Sequence, residues 1–200
     1  MNLAQKYIQG LKKAYCDNGA GSQWEAFEKT VHGARKESLE KLKTMYPDIP
    51  QSLLQLLELV DGTYWRQYGE EKVIFYFLGS DIEEYPYYLL SAEQMIESQD
   101  GDWLRDYINR EYEDCVEVDE KIIDNAENMH WLHFSDCMNN GGSSQLFIDF
   151  SPSSNGTEGQ IVRYLHDPDE LLVIADNFDD YLLMLIEDGY DFITEDVAEE

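Results

Sequence analysis

The chain has 200 residues, of which 43% are hydrophobic, and its 4 Trp, 14 Tyr and 8 Phe give it more aromatic bulk than a disordered chain carries, so we expect it to fold around a sizeable core. Its 42 acidic and 14 basic side chains give a formal net charge of −28, which disfavours nucleic acid or an anionic membrane as partner. The sequence has neither an apolar run of about 18 residues nor a signal-peptide pattern at its start, so we expect a cytoplasmic protein.

The charge is unevenly distributed along the chain. Residues 1–50 carry eight basic and six acidic side chains, a net of +2, whereas residues 51–200 carry six basic and thirty-six acidic ones, a net of −30. Residues 164–200 contain no Lys or Arg. Such a field speeds association with a basic partner, although acidity that only maintains solubility is an alternative.

The first fifty residues have helical periodicity. An apolar stripe from Leu3 to Tyr15 predicts a first helix that ends near residues 19–21. Ser22 followed by Glu25 has the pattern of a capping box, which predicts a second helix through residue 45, with an interruption at Gly33 left open.

Mixed elements follow. The prolines at 47 and 50 precede a leucine-rich core helix that should end at Gly62. Residues 73–78 are predicted to form a buried strand with 85–90 as its antiparallel partner, followed by a short helix over 91–96. More than a third of residues 97–128 are Asp or Glu, and we interpret this stretch as an acidic helix and loop inserted between sheet elements.

The last seventy residues show regular alternation. Four strands and a closing helix are predicted over residues 131–134, 145–150, 160–166, 171–175 and 178–186. Helices at both ends of a set of strands indicate a single α+β domain with a largely antiparallel sheet.

No catalytic motif stands out. His130, His133, Asp136 and Cys137 are the only local group with metal-ligand side chains, but residues 130 and 133 would point to opposite faces of a strand. The 139–144 segment lacks the lysine of a phosphate-binding loop, and the three cysteines have no evident base. We therefore expect no enzyme activity, no metal and no cofactor; a metal-dependent enzyme is the least favoured hypothesis.

Several segments together carry a family resemblance. They are residues 49–62, 131–136, 141–142, 146–150, 159–162, 173–178 and 181–186. In this order they resemble the SUKH superfamily, in the branch named for the Smi/Knr cell-wall regulators, over about residues 37–188. The chain departs from the family pattern at Ser143 and Ser144, where Asp or Gly is frequent, and we expect its acidic segment 97–128 to be longer than the usual counterpart in the family.

The resemblance implies a six-stranded α+β domain without catalysis. It divides the chain into an N-terminal helical extension (1–36), a SUKH-like domain (37–190, with the acidic insertion at about 97–128) and an acidic tail (191–200). In bacteria such proteins are mostly immunity proteins that neutralise a toxin, often a nuclease, encoded next door. In fungi the relatives are regulatory interaction proteins.

Charge and resemblance together predict an antitoxin whose acidic surface mimics phosphate in the cleft of a basic nuclease; a regulatory or scaffold protein is the alternative. Aromatic residues beside acids, at 64–65, 75–77 and 85–88, are typical of interface hot spots, although Phe75 and Phe77 suit a core. Tyr87 and its neighbour should point to opposite faces of a strand, so one must be exposed or covered. The predicted partner-binding residues are Glu70, Glu71, Asp81, Glu83, Glu84, Tyr87 and Asp136. The oligomeric state is left open.

Overall fold

The computed structural model describes residues 1–82, 86–98, 104–112, 115–137, 144–166 and 168–199. The helices are α1 (Leu3–Asp17), α2 (Gly21–Thr30), α3 (Lys36–Met45), α4 (Gln51–Leu57), α5 (Ala92–Glu97), α6 (Arg105–Ile108), α7 (Phe178–Glu187) and α8 (Glu195–Glu199). The strands are β1 (Arg66–Tyr68), β2 (Glu71–Val73), β3 (Tyr88–Leu89), β4 (Glu117–Val118), β5 (Trp131–Cys137), β6 (Ser144–Asp149), β7 (Gln160–Leu165) and β8 (Glu170–Ala175).

Within the described residues, six strands form one sheet in the order β3-β5-β6-β7-β8-β4. All neighbours are antiparallel except β4 and β8, which are parallel, and β1 and β2 form a separate hairpin. The predicted α+β class and the largely antiparallel sheet are therefore confirmed.

Both faces of the sheet are covered, and alternation along each strand divides its side chains between two cores. On β6, Leu146 and Ile148 join the larger core, into which α1 to α5 and α7 pack, whereas Phe147 faces a smaller one. The acidic segment supplies much of this smaller core through Leu104, Ile108, Ile122 and Ala126. The acidic stretch 97–128, interpreted from its sequence as an insertion, thus covers the face of the sheet opposite the larger core.

The start of α2 differs from the prediction. The helix begins at Gly21 with no side-chain cap, so Ser22 lies inside its first turn, and the predicted capping box is wrong. The second predicted helix is interrupted near Gly33, since residues 31–35 separate α2 from α3. A Cβ at Gly33 would lie 2.0 Å from the Glu58 carbonyl oxygen, so the chain can pass the end of α4 only with glycine there.

Residues 73–78 do not form the predicted strand. Only Val73 belongs to β2, and an isolated bridge joins Leu78 to Tyr87. Tyrosine hydroxyl groups donate hydrogen bonds to backbone carbonyls in this segment and just after it. Tyr15 donates to Tyr76 O (2.7 Å), Tyr7 to Phe77 O (2.6 Å) and Tyr181 to Gly79 O (2.5 Å). Two helices thus hold this segment through side chains that no short-range pattern reveals.

The two ends of the described chain pack together. The Tyr190 hydroxyl donates to Tyr7 O (2.9 Å), and Asn18 Nδ2 donates to Ile193 O (2.8 Å). Phe192 and Ile193, in the stretch expected to be an acidic tail, are buried in the core that α1 shares. The helices of the predicted extension are therefore integral to the main core.

Candidate protein-interaction surface

Two of the predicted partner-binding acids, Glu70 and Glu71, are exposed on the β1–β2 hairpin. Glu70 lies in the turn between β1 and β2, where Gly69 has a φ of 62°, and Glu71 begins β2. Oε2 of Glu71 accepts a hydrogen bond from Thr30 Oγ1 on α2 (2.7 Å). The hairpin therefore presents two carboxylates beside α2.

Asp81 has a different environment from the one expected. Arg163 on β7 is only 2% exposed, and its Nε and Nη2 donate to the two carboxylate oxygens of Asp81 at 2.5 and 2.9 Å. Nη1 of Arg163 donates to Glu170 at 2.7 Å. Asp81 itself is exposed, but its charge is paired with Arg163, which makes it a weaker phosphate mimic than an unpaired carboxylate. Glu83 and Glu84 lie outside the described residues.

Tyr87 and Asp136 are also unsuited to a partner surface. Tyr87 is 0% exposed, which contradicts its predicted contact with a partner. Tyr88 beside it is buried too, covered by the rings of Tyr64 and Tyr76 at 5.3 and 4.7 Å between centroids. The side chain of Asp136 is 13% exposed. Burial raises the pKa of its carboxyl to about 6, against hydrogen bonds donated by Gln145 and by the Cys137 amide.

Three of the six basic residues after position 50 are engaged inside the fold. Arg66 pairs with Asp61 (2.5 Å) and Glu93 (3.0 Å), and Arg163 has the two partners given above. Arg110 Nη1 and Nη2 donate to the carbonyls of Ile108 (2.8 Å) and Ile122 (3.1 Å). These three guanidinium groups are therefore held by partners within the fold.

The two histidines of the metal-dependent enzyme hypothesis, His130 and His133, have different surroundings. His130 is exposed and stacks on Tyr46, with 5.0 Å between ring centroids. His133 is buried; its Nδ1 is 2.6 Å from Ser98 Oγ and its Nε2 2.9 Å from Ser135 O. Within the described ranges, no group of three or more His, Cys, Asp or Glu side chains is arranged to hold a metal ion.

An aromatic groove of about 510 Å³ lies beside the hairpin. We call it the α2 groove. It is lined by Tyr15, Gln23, Ala26, Phe27, Thr30, Glu71, Lys72, Val73, Ile74, Phe75, Tyr76, Tyr88 and Val197. Phe75 stacks between Tyr15 and Phe27, with centroid distances of 4.5 and 4.1 Å. The expectation that Phe75 belongs to the core therefore holds only in part, whereas Phe77 is fully buried.

Two large apolar side chains are exposed at this end of the molecule. Ile74 lines the α2 groove and is 42% exposed, and Trp65 is 43% exposed. Nζ of Lys72, another lining residue, lies 4.8 Å from the Trp65 ring centroid. Trp65 has a φ of 51°, a backbone conformation that is strained for a bulky residue. The aromatic clusters at 64–65 and 75–77 signalled this region in the sequence, but the groove itself could not be predicted.

Comparison with known proteins identifies the family. The sequence model of the SMI1 / KNR4 family (SUKH-1) matches residues 33–184, about three quarters of the chain. A search of curated proteins found no match. None of the helices in the described part of the chain has the length and hydropathy needed to cross a bilayer.

Proposed function

The chain belongs to the SMI1 / KNR4 family (SUKH-1), and from that premise we propose that it is an immunity protein that binds and neutralises a cognate toxin in the cytoplasm. The toxin we propose is a basic nuclease domain. The observation that carries this proposal is the net charge of −30 on residues 51–200, the part that contains most of the family match.

The surroundings of the basic residues support the proposal. Arg66, Arg110 and Arg163 are each held by carboxylates or carbonyls of the fold, so these three cations are not distributed among the acids named next. Exposed acids after position 50 include Glu70, Glu71, Asp106, Glu111, Glu117, Glu120, Asp124, Glu127, Asp176, Asp179, Asp180, Glu187, Asp188, Glu195 and Asp196. A partner with a dense positive field would be attracted to such a surface.

A nuclease has such a field, because its cleft must hold phosphate groups. Carboxylates that enter the cleft replace the phosphates and exclude the substrate. Long-range attraction also speeds association, which matters for an inhibitor that must reach its toxin before the substrate is cut. We expect the association rate to fall steeply as ionic strength rises, because salt screens this attraction.

Co-expression with the adjacent open reading frame tests the proposal. We expect that product alone to arrest growth, and the chain to restore growth and to block nucleic acid cleavage by the purified product. The double variant Glu70→Gln/Glu71→Gln should slow association, whereas Glu37→Gln/Asp48→Asn, which removes two exposed acids from the first fifty residues, should not.

A harmless neighbour, or one that the chain does not bind, would refute the immunity role. If pull-down from the native cells then recovered endogenous partners in defined stoichiometry, the regulatory function would replace it.

A further inference from the structure

We propose that the α2 groove is a docking site for a protein segment that carries a large apolar side chain flanked by lysine or arginine. The inference deepens the proposed function, on whose protein-binding role it rests, by naming the contact site and the chemistry of the partner segment.

The shape of the groove suits one inserted side chain with its flanks. Its volume of about 510 Å³ is within the usual range of binding pockets, and five of its thirteen lining residues are aromatic. Because Phe75 is fixed between the rings of Tyr15 and Phe27, the floor is a preformed apolar surface. When an apolar side chain of a partner enters the groove, its own surface and the surface of the floor are both removed from water, which favours binding.

The apolar rim has the composition of a binding hot spot. Ile74, which lines the groove, and Trp65, which lies next to it through its contact with Lys72, are two of the five large hydrophobic residues that stand out as exposed in the described ranges. The backbone of Trp65 is in the left-handed conformation (φ 51°), and backbone strain of this kind is concentrated at functional sites of proteins. Tryptophan is among the residue types enriched at the positions that contribute most to binding between proteins.

The charge around the groove selects a basic occupant. Glu71 lines the groove and Glu70 is adjacent in the hairpin turn. Val197 of α8 also lines the groove, and exposed Glu195 and Asp196 precede it in the same helix. Lys72 is the only basic lining residue among those described, and its ammonium lies against the Trp65 ring. An acidic segment would be repelled, whereas lysine or arginine beside the apolar anchor would be attracted.

Selection from a random library of peptides about 12 residues long, on the immobilised full chain, tests this site without knowledge of the natural partner. We expect the selected peptides to contain Phe, Leu or Met next to Lys or Arg. Their synthetic versions should bind about tenfold more weakly to Ile74→Gln, which removes the apolar rim, and to Ala26→Trp, which fills the groove from exposed α2.

The matched control is Leu59→Gln, which alters an apolar residue 40% exposed outside the groove lining and should leave affinity unchanged. Circular dichroism verifies that each variant folds. Failure to select peptides, selection of acidic ones, or equal binding to all three variants would overturn the docking site.

The same variants distinguish this inference from the proposed function. If the adjacent gene product binds the wild type, and Ile74→Gln and Ala26→Trp do not weaken it, the groove is not the contact site but the immunity role stands. If that product does not bind at all while selected basic peptides still require the groove, the immunity role fails and the docking site stands.

Discussion

Nε2 of His133 lies 3.9 Å from Oδ2 of Asp136, although residues three apart on a regular strand point to opposite faces. The cause is a register shift in β5 between His133 and Ser135, which turns the following side chains. Burial acts on the two groups in opposite directions: it lowers the pKa of His133 to about 4 and raises that of Asp136 to about 6.

We predict that these two groups have opposing effects on stability. The pKa of Asp136 in the folded chain lies above its ordinary value of 3.8, so this group contributes stability below about pH 4 that is lost as pH rises through about 6. The pKa of His133 in the folded chain lies below its ordinary value of 6.5, so this group contributes stability above pH 6.5 that is lost as pH falls towards about 4. Between pH 4 and 6 the two slopes oppose each other.

Asp136→Asn should therefore raise the free energy of unfolding at pH 7 by up to roughly 3 kcal/mol, because it removes a buried charge. The gain over the wild type should shrink as pH falls to 4. Urea unfolding at several pH values measures this difference, with exposed Asp48→Asn as the control. A constant difference from the wild type across the range would contradict the opposing-slopes prediction.

The buried arginine provides a second prediction. Arg163→Met leaves Asp81 and Glu170 without their shared cation and should cost about 3–5 kcal/mol of stability. Lys13→Met removes an exposed charge and should change stability by less than about 0.5 kcal/mol. Denaturant titration compares the two variants. Equal effects would show that the Arg163 pairs contribute no more than surface charge.

The contact between the chain ends provides a third prediction. A Cβ at Gly10 would lie 2.1 Å from the Tyr190 hydroxyl oxygen, so Gly10→Ala should displace Tyr190 and destabilise the fold by about 2 kcal/mol. Tyr190→Leu should relieve much of that strain in the double variant, giving strong non-additivity. Gly21→Ala is the helical control, since the nearest atom to its added Cβ is 3.6 Å away. Additive effects of Gly10→Ala and Tyr190→Leu would argue against this packing.

A fourth prediction concerns the helices before the family match. Deletion of residues 1–32 removes Tyr7 and Tyr15, whose hydroxyls bind the carbonyls of residues 77 and 76, and uncovers the core beneath α1. We expect the truncated chain to lose cooperative unfolding and to bind a hydrophobic dye.

The double variant Tyr7→Phe/Tyr15→Phe keeps the rings and should cost about 1–3 kcal/mol for each lost hydrogen bond while it keeps a cooperative transition. If the truncated chain unfolded cooperatively with wild-type stability, α1 and α2 would be dispensable to the core.

The parts of the fold that could be predicted are those whose signal is local. Strands β5 to β8 alternate along a few residues each, and the approximate ends of α1 and α7 follow from nearby glycines. Residues 73–78 have the composition of a strand, but distant tyrosines determine their conformation. From its sequence, the segment 97–128 is interpreted as an insertion because of its many acids, although its apolar residues, which are spaced among them, cover one face of the sheet.

The candidate site shows the same division. Exposure of Glu70 and Glu71 follows from their position at a hairpin turn, whereas the ion pair of Asp81 depends on an arginine 82 residues later. Tyr87 carries a hydroxyl group that suits an interface, yet tertiary packing buries it. The α2 groove combines residues from α1, α2, the hairpin and α8, so only the folded chain reveals it.

The tyrosine hydroxyls that hold residues 76, 77 and 79 have one more consequence. Because α1 and α7 bind these carbonyls, the backbone that leads away from Tyr76 in the wall of the α2 groove is already ordered before any partner arrives. A docking segment would then lose mainly its own conformational entropy on binding. Its sequence and stiffness would determine how long the complex lasts, so a rigid mimic of the segment would dissociate more slowly than a flexible one with the same side chains.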